Sequence, residues 1–182
     1  MKRFRKHIRL KGFDYSQSHY YFVTICTDFR RDIFVPKVSE RYGHRLDKDV
    51  VAGLVPANSE EAATRAATTD AVREILDDDL PRRFPGLEND FYIVMPNHLH
   101  WIVTFSSHKG CNYKLPDVVG AFKSLSTRAV WRLGHEGRLW QPNYYEHIIR
   151  SENALDNIRT YILQNPWVEY DEINWKLLDP LV

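Results

Sequence analysis

An α+β fold, with helices packed on one face of an antiparallel sheet, is what this sequence predicts, and three observations carry the prediction. "DFYIVM" and "HLHWIVTF" are apolar runs separated only by Pro96 and Asn97, residues that supply turn geometry, so the two runs read as a hairpin. "HYYFVTICT", residues 19–27, alternates and is rich in β-branched and aromatic residues, the pattern of a central strand. Helical spacing recurs around these runs, so the order is strand, helix, hairpin, helix, strand, helix. That order suits an antiparallel sheet with a helical layer, an arrangement of the ferredoxin-like type.

Each element has its own signal. "RRDIFV" follows the first strand and either extends it or pairs with it. Residues 36–68 show no sustained period and many small or polar residues, which predicts a long surface insertion. "TDAVREILDDDLPRRF" places Val72, Ile75, Leu76 and Leu80 at helical spacing, with Thr69 or Asp70 as N-cap and Pro81 near the end. Its Asp77, Asp78 and Asp79 are consecutive and so point in different directions, the mark of a solvated face rather than a metal site. "LPDVVGAFKSLSTRAVWRL" aligns Val118, Phe122, Leu125, Ala129 and Leu133 on one stripe, opposite Lys123, Thr127 and Arg128. "RLWQPNYYEHIIR" predicts a turn and a short strand. "SENALDNIRTYILQNP" predicts a last helix, capped by Ser151 and stopped by Pro166, before an aromatic tail at 167–182.

The 182 residues fit one domain, 1–182, able to bury a core around one sheet. Hydrophobic content of 43% and charged content of 27% are ordinary globular values. No apolar run is long enough to span a bilayer, and the basic start is followed by "FDYSQSHYYF" rather than an apolar signal core, so no membrane partner and a cytoplasmic location are expected. Cys26 and Cys111 form no metal or disulfide pattern and are read as free thiols. The net charge is only +1, which argues against a general polycation. Two basic clusters stand out all the same: Arg3 and Arg5 within the first eleven residues, and Lys123, Arg128, Arg132 and Arg138 later. Such clusters meet phosphates or simply face water.

The chemistry-bearing feature is His98-Leu99-His100. Alternate strand residues share a face, so both imidazoles project the same way, roughly 7 Å apart at the backbone, and can reach one cation. Two polar residues on the wet side of a sheet would look the same. Tyr161 and Asn165 are four apart on the last helix, which puts a hydroxyl and an amide on one helical face, about 6 Å apart along the axis. Pro166 disfavours the helical conformation at Asn165.

"YIVMPNHLHWIV", "WQPNYYEHIIRSENALDNIRTYILQNP" and "YYFVTICTDFRRDIF" together resemble the REP-associated tyrosine transposases, relatives of the single-tyrosine transposases of the HUH nuclease superfamily. The resemblance covers most of residues 3–168 apart from the insertion. It implies that His98 and His100 are the HUH metal pair, that Tyr161 on a catalytic C-terminal helix is the nucleophile, and that Asn165 stands where relatives place a third, amide-bearing ligand. It also implies Mg2+ or Mn2+, although imidazoles by themselves often signal zinc, and cleavage and rejoining of single-stranded DNA near a hairpin through a 5′-phosphotyrosine. Lys123, Arg128, Arg3 and Arg5 are the candidates for gripping phosphates. Tyr144 and Tyr145 are rival tyrosines, and Trp140, Tyr144 and Tyr113 are aromatic residues that either stack on bases or pack. The long insertion and the tail depart from the family pattern and bear on whether the partner set includes a second copy in a homodimer. A domesticated DNA or RNA hairpin-binding protein without turnover, and a water-using metallohydrolase in which His147 or an acid completes the metal site and Tyr161 is structural, are the alternatives.

Overall fold

The computed structural model describes residues 10, 12–39, 59–106, 113–164 and 178. Five strands form one antiparallel sheet: β1 (Tyr20–Cys26), β2 (Lys37–Val38), β3 (Leu87–Met95), β4 (His98–Phe105) and β5 (Tyr145–Ile149), in the order β2-β3-β4-β1-β5. The hairpin is as the sequence predicts, with Met95 opposite His98 across Pro96 and Asn97. β1 is an interior strand between the central β4 and the edge strand β5, pairing Thr24 with His100 on one side and with Tyr145 on the other.

The helices are α1 (Ser59–Glu74), continued by a π-helical turn (Ile75–Asp79) and α2 (Leu80–Arg83), then α3 (Leu115–Arg132) and α4 (Glu152–Gln164). In the π turn the Leu80 N–H bonds to Ile75 O, five residues back. Pro81 follows at once; it lacks an N–H and its ring crowds the carbonyl four residues earlier, so the wider turn accommodates it.

Side-chain alternation divides the core in two. Tyr21, Val23, Ile25, Leu99, Trp101 and Val103 pack with Val72, Leu76, Val118 and Phe122 of α1 to α3. Phe22, Ile93, Met95 and Ile102 pack on the other side with Leu155, Ile158 and Ile162 of α4. Two helical segments therefore share one face, as expected, while the C-terminal helix lies across the opposite one. That second face belongs to the histidines.

Three local expectations are corrected. The helix expected to start at Thr69 or Asp70 begins at Ser59, because "SEEAATRAAT" is built of strong helix formers whose polarity hides the period. Thr69 is no cap: its hydroxyl donates to Arg65 O and receives Val35 N–H at 2.9 Å. Inside the supposed insertion, Lys37 and Val38 add an edge strand to β3, while residues 40–58 of it lie outside the described residues. On α3 the buried stripe runs through Leu115, Val118, Val119, Phe122, Ser126 and Val130, and Leu133 is exposed.

Candidate active site

β4 presents His98 and His100 on the α4 side of the sheet. Their rings are in contact, with centroids 4.6 Å apart and planes at 69°. Both are buried, so the pair is not the wet-side polar patch that the sequence also allowed. Each ring is oriented through Nδ1. His98 Nδ1–H donates to Asn97 Oδ1 at 2.8 Å, and His100 Nδ1 is hydrogen-bonded to Thr24 Oγ1 at 2.8 Å. When Nδ1 of a histidine carries the proton toward such a partner, Nε2 keeps the lone pair that binds a cation. Burial, with the neighbouring His98 second, holds the His100 pKa well below its ordinary 6.5; a neutral imidazole is the ligand form. The donor set thus fits a divalent cation. No group of three or more His, Cys, Asp or Glu side chains able to hold a metal occurs among the described residues.

Thr24 and Asn97 were not found from the sequence. Thr24 becomes visible only through register, since it sits directly opposite His100. Asn97 was read as a turn residue, and it is also a histidine anchor.

α4 carries Tyr161 into the layer covering the histidine face. The ring is half-buried against the cluster of Phe22, Ile93, Met95 and Ile102. The helix is pinned two residues earlier: Arg159 Nε donates to Asp90 Oδ2 at 2.8 Å, its Nη2 pairs with Asp90 Oδ1, and Nη1 reaches Asp156 at 2.8 Å. Asp90 is the extra residue of a β-bulge, because Asn89 faces Val103 and Phe91 faces Ile102. The bulge aims a buried carboxylate at α4.

The profile of the family described as "Transposase IS200 like" matches residues 65–165, more than half of the chain. The chain belongs to the IS200-like transposase family. It is 27% identical over 180 residues to an uncharacterized protein of Haemophilus influenzae, covering 89% of this chain and 88% of that one. Two solved structures are similar in fold. One is described as a candidate transposase of Deinococcus radiodurans R1, with 24% identity, 85% of this chain and 95% of the other covered, and a TM-score of 0.46. The other is a REP-associated tyrosine transposase bound to a REP hairpin, with 16% identity, 92% and 76% covered, and a TM-score of 0.46.

The remaining candidates of this transposase separate by burial. Trp140 is core: it stacks on Phe34 at 5.4 Å and donates Nε1–H to Ser126 Oγ at 2.8 Å. Tyr144 is buried with the α1 to α3 face, and Tyr113 donates its hydroxyl to Pro85 O at 2.7 Å. Tyr145 is half-buried on the histidine face, in the row His100, Thr24, Tyr145. His147 pairs with Phe22, two residues along β1 from Thr24, and so lies on the histidine face in the row next to that of His100. Lys123 does not lie on an open basic face, because its Nζ donates to Gln141 O at 2.7 Å and Asn143 O at 2.8 Å. Arg128 is exposed. Asn165, Arg3 and Arg5 lie outside the described residues, as does Cys111.

Proposed function

We propose that this chain is a metal-dependent transposase that cleaves and rejoins single-stranded DNA beside hairpins, with Tyr161 as nucleophile. The observation that carries the reading is the contacting, buried imidazole pair with both Nδ1 atoms anchored, on the face covered by the helix that bears Tyr161. A divalent cation, Mg2+ or Mn2+, held by His98, His100 and Asn165, would supply charge withdrawal at a non-bridging phosphate oxygen. Asn97 and Thr24 hold the imidazoles against rotation, and Arg159 with Asp90 holds the tyrosine-bearing helix.

Tyr161 Oη attacks phosphorus, the bond from phosphorus to the 3′ oxygen breaks, and the phenol proton ends on the departing 3′-hydroxyl. The product is a 5′-phosphotyrosine that keeps an ester for a later 3′-hydroxyl to displace. Arg128, Arg3 and Arg5 are the cations assigned to the strand's phosphates, on charge alone, whereas Lys123 serves the loop at 141–143.

The test is incubation with labelled hairpin DNA bearing single-stranded flanks, in Mn2+. Parent protein is expected to form a covalent protein–DNA adduct, and Tyr161→Phe to bind without forming it. Adduct from Tyr161→Phe would assign the nucleophile elsewhere, with Tyr145 next in line. Binding alone by the parent would point to a hairpin-binding protein, and cut DNA without adduct to a water-using hydrolase. His98→Ala should lose cleavage and Mn2+ affinity together.

A further inference from the structure

We infer that the turn Asp28–Arg31 holds Phe29 out as a stacking platform for an unpaired base of the bound strand, a deepening that rests on the single-stranded DNA reading above. Phe29 is 87% exposed, far more than Leu10, Trp131 or Leu133, the other exposed large hydrophobic residues among those described. Its backbone is left-handed, with φ 54° at Phe29 and 52° at Arg30. Arg31 N–H bonds back to Asp28 O at 3.4 Å, so the pair occupies the centre of a turn with two positive φ values, where Asn and Gly are the usual residues. An apolar ring and a long cation stand there instead.

The turn is held on several sides. Thr27 N–H donates to Asn97 O at 2.9 Å, and Thr27 Oγ1 to Arg31 O at 2.8 Å. Asp28 N–H donates to Leu139 O at 2.8 Å, and Arg31 Nη2 to Arg138 O at 2.7 Å. A ring kept in water on a fastened, unfavourable backbone has no packing to account for it; backbone outliers of this kind point toward function.

Location says what covers it. Asn97, which receives Thr27, also accepts from His98, and Cys26, three residues before Phe29, is the strand partner of His98. Phe29 is therefore within about 11 Å of chain from the histidine row, a reach of a few nucleotides along a strand whose phosphate sits at the pair. Arg30 and Arg31 follow directly in the chain, and Arg138 forms an ion pair with Asp28 at 3.9 Å while staying largely exposed. Cations beside an exposed ring are the recurring components of sequence-tolerant single-strand binding.

The experiment measures fluorescence anisotropy of a labelled oligothymidylate and of a mixed-sequence duplex. It is run in a Tyr161→Phe background with EDTA, so that cleavage plays no part. Phe29→Ala should weaken oligothymidylate binding by roughly tenfold, Phe29→Trp should keep it within about twofold, and duplex binding should be unchanged by either. Phe29→Gly should weaken binding like alanine while raising the thermal midpoint, because glycine suits positive φ. The inference is overturned by Phe29→Ala binding like the parent, by equal losses on duplex, by a parent without affinity for oligothymidylate, or by a lower midpoint for Phe29→Gly. Adduct formation by the chain with Tyr161 intact reads the catalytic proposal separately, so failure of one is distinguishable from failure of the other.

Discussion

Thr24 decides which way His100 points. Its hydroxyl sits 2.8 Å from Nδ1 on the strand directly opposite, so it selects the ring flip that turns Nδ1 toward β1 and Nε2 away from it. Outer-shell partners of this kind are typically worth 10–100-fold in metal affinity. Thr24→Val keeps the shape and the strand preference but removes the oxygen, so Mn2+ affinity measured by calorimetry should fall by about tenfold with the fold intact. An unchanged dissociation constant would show that packing against Phe22, whose ring is 5.2 Å from His100, orients the ring without help. The two histidines were legible from spacing because alternation in a strand is a local rule. Thr24 was not legible, since 76 residues separate it from His100 and only strand register brings them together. Lys123 shows the converse limit. It was correctly placed on a helix, yet the carbonyls that engage it arrive from a later loop.

At the level of elements, α4 is amphipathic enough to dock by Leu155, Ile158 and Ile162, but apolar contacts alone leave its rotation and slide loosely specified. Arg159 and Asp90 set them. Asp90 is 3% exposed, and removing one member of a buried pair leaves the other charge uncompensated. Asp90→Ala should therefore cost about 3 kcal/mol in urea unfolding. It should also slow adduct formation on hairpin DNA more than it weakens DNA binding, because it frees the helix carrying Tyr161. Stability equal to the parent would mean that Asp156, which also contacts Arg159, suffices. The helix was readable from its period and its Ser151 cap; the bulge that serves it was not, since a single extra residue in "ENDFYIVM" leaves no compositional trace. Ser126 misled for a similar reason. A serine on the buried stripe is invisible to hydrophobic periodicity, and it is buried because Phe122 O and Trp140 Nε1 satisfy its hydroxyl.

Across the whole molecule, one sheet carries two cores, and β1 and β4 contribute to both. None of the described helices is long and apolar enough to cross a membrane. Burying His100 inside one of these cores ties global stability to pH. Its folded pKa lies well below the ordinary 6.5, so on acidification the unfolded chain takes up a proton that the folded chain refuses. Above pH 6.5 both states are neutral at this site and it contributes no pH dependence. Below 6.5 stability falls until the folded pKa is reached. In metal-free buffer, urea midpoints should decline from pH 6.5 to 5, and His100→Gln should flatten that part of the slope. A variant with the parent's slope would assign the effect to other groups.

By itself the sequence determined the strands and helices other than the edge strand β2 and the first half of α1, the hairpin around Pro96 and Asn97, the shared face of His98 and His100 and the resemblance that the family match bears out. The elements, the hairpin and the shared histidine face follow from periodicity and turn chemistry within about twenty residues of chain, whereas the resemblance rests on three separated motifs taken together. Only the tertiary structure decided that α4 covers the histidine face while α1 and α3 cover the other. It alone decided that Thr24 and Asn97 anchor the imidazoles, and that Phe29 is left in water on a left-handed turn. Those outcomes depend on register and on contacts between segments far apart in sequence, where no local preference of the chain can specify a partner.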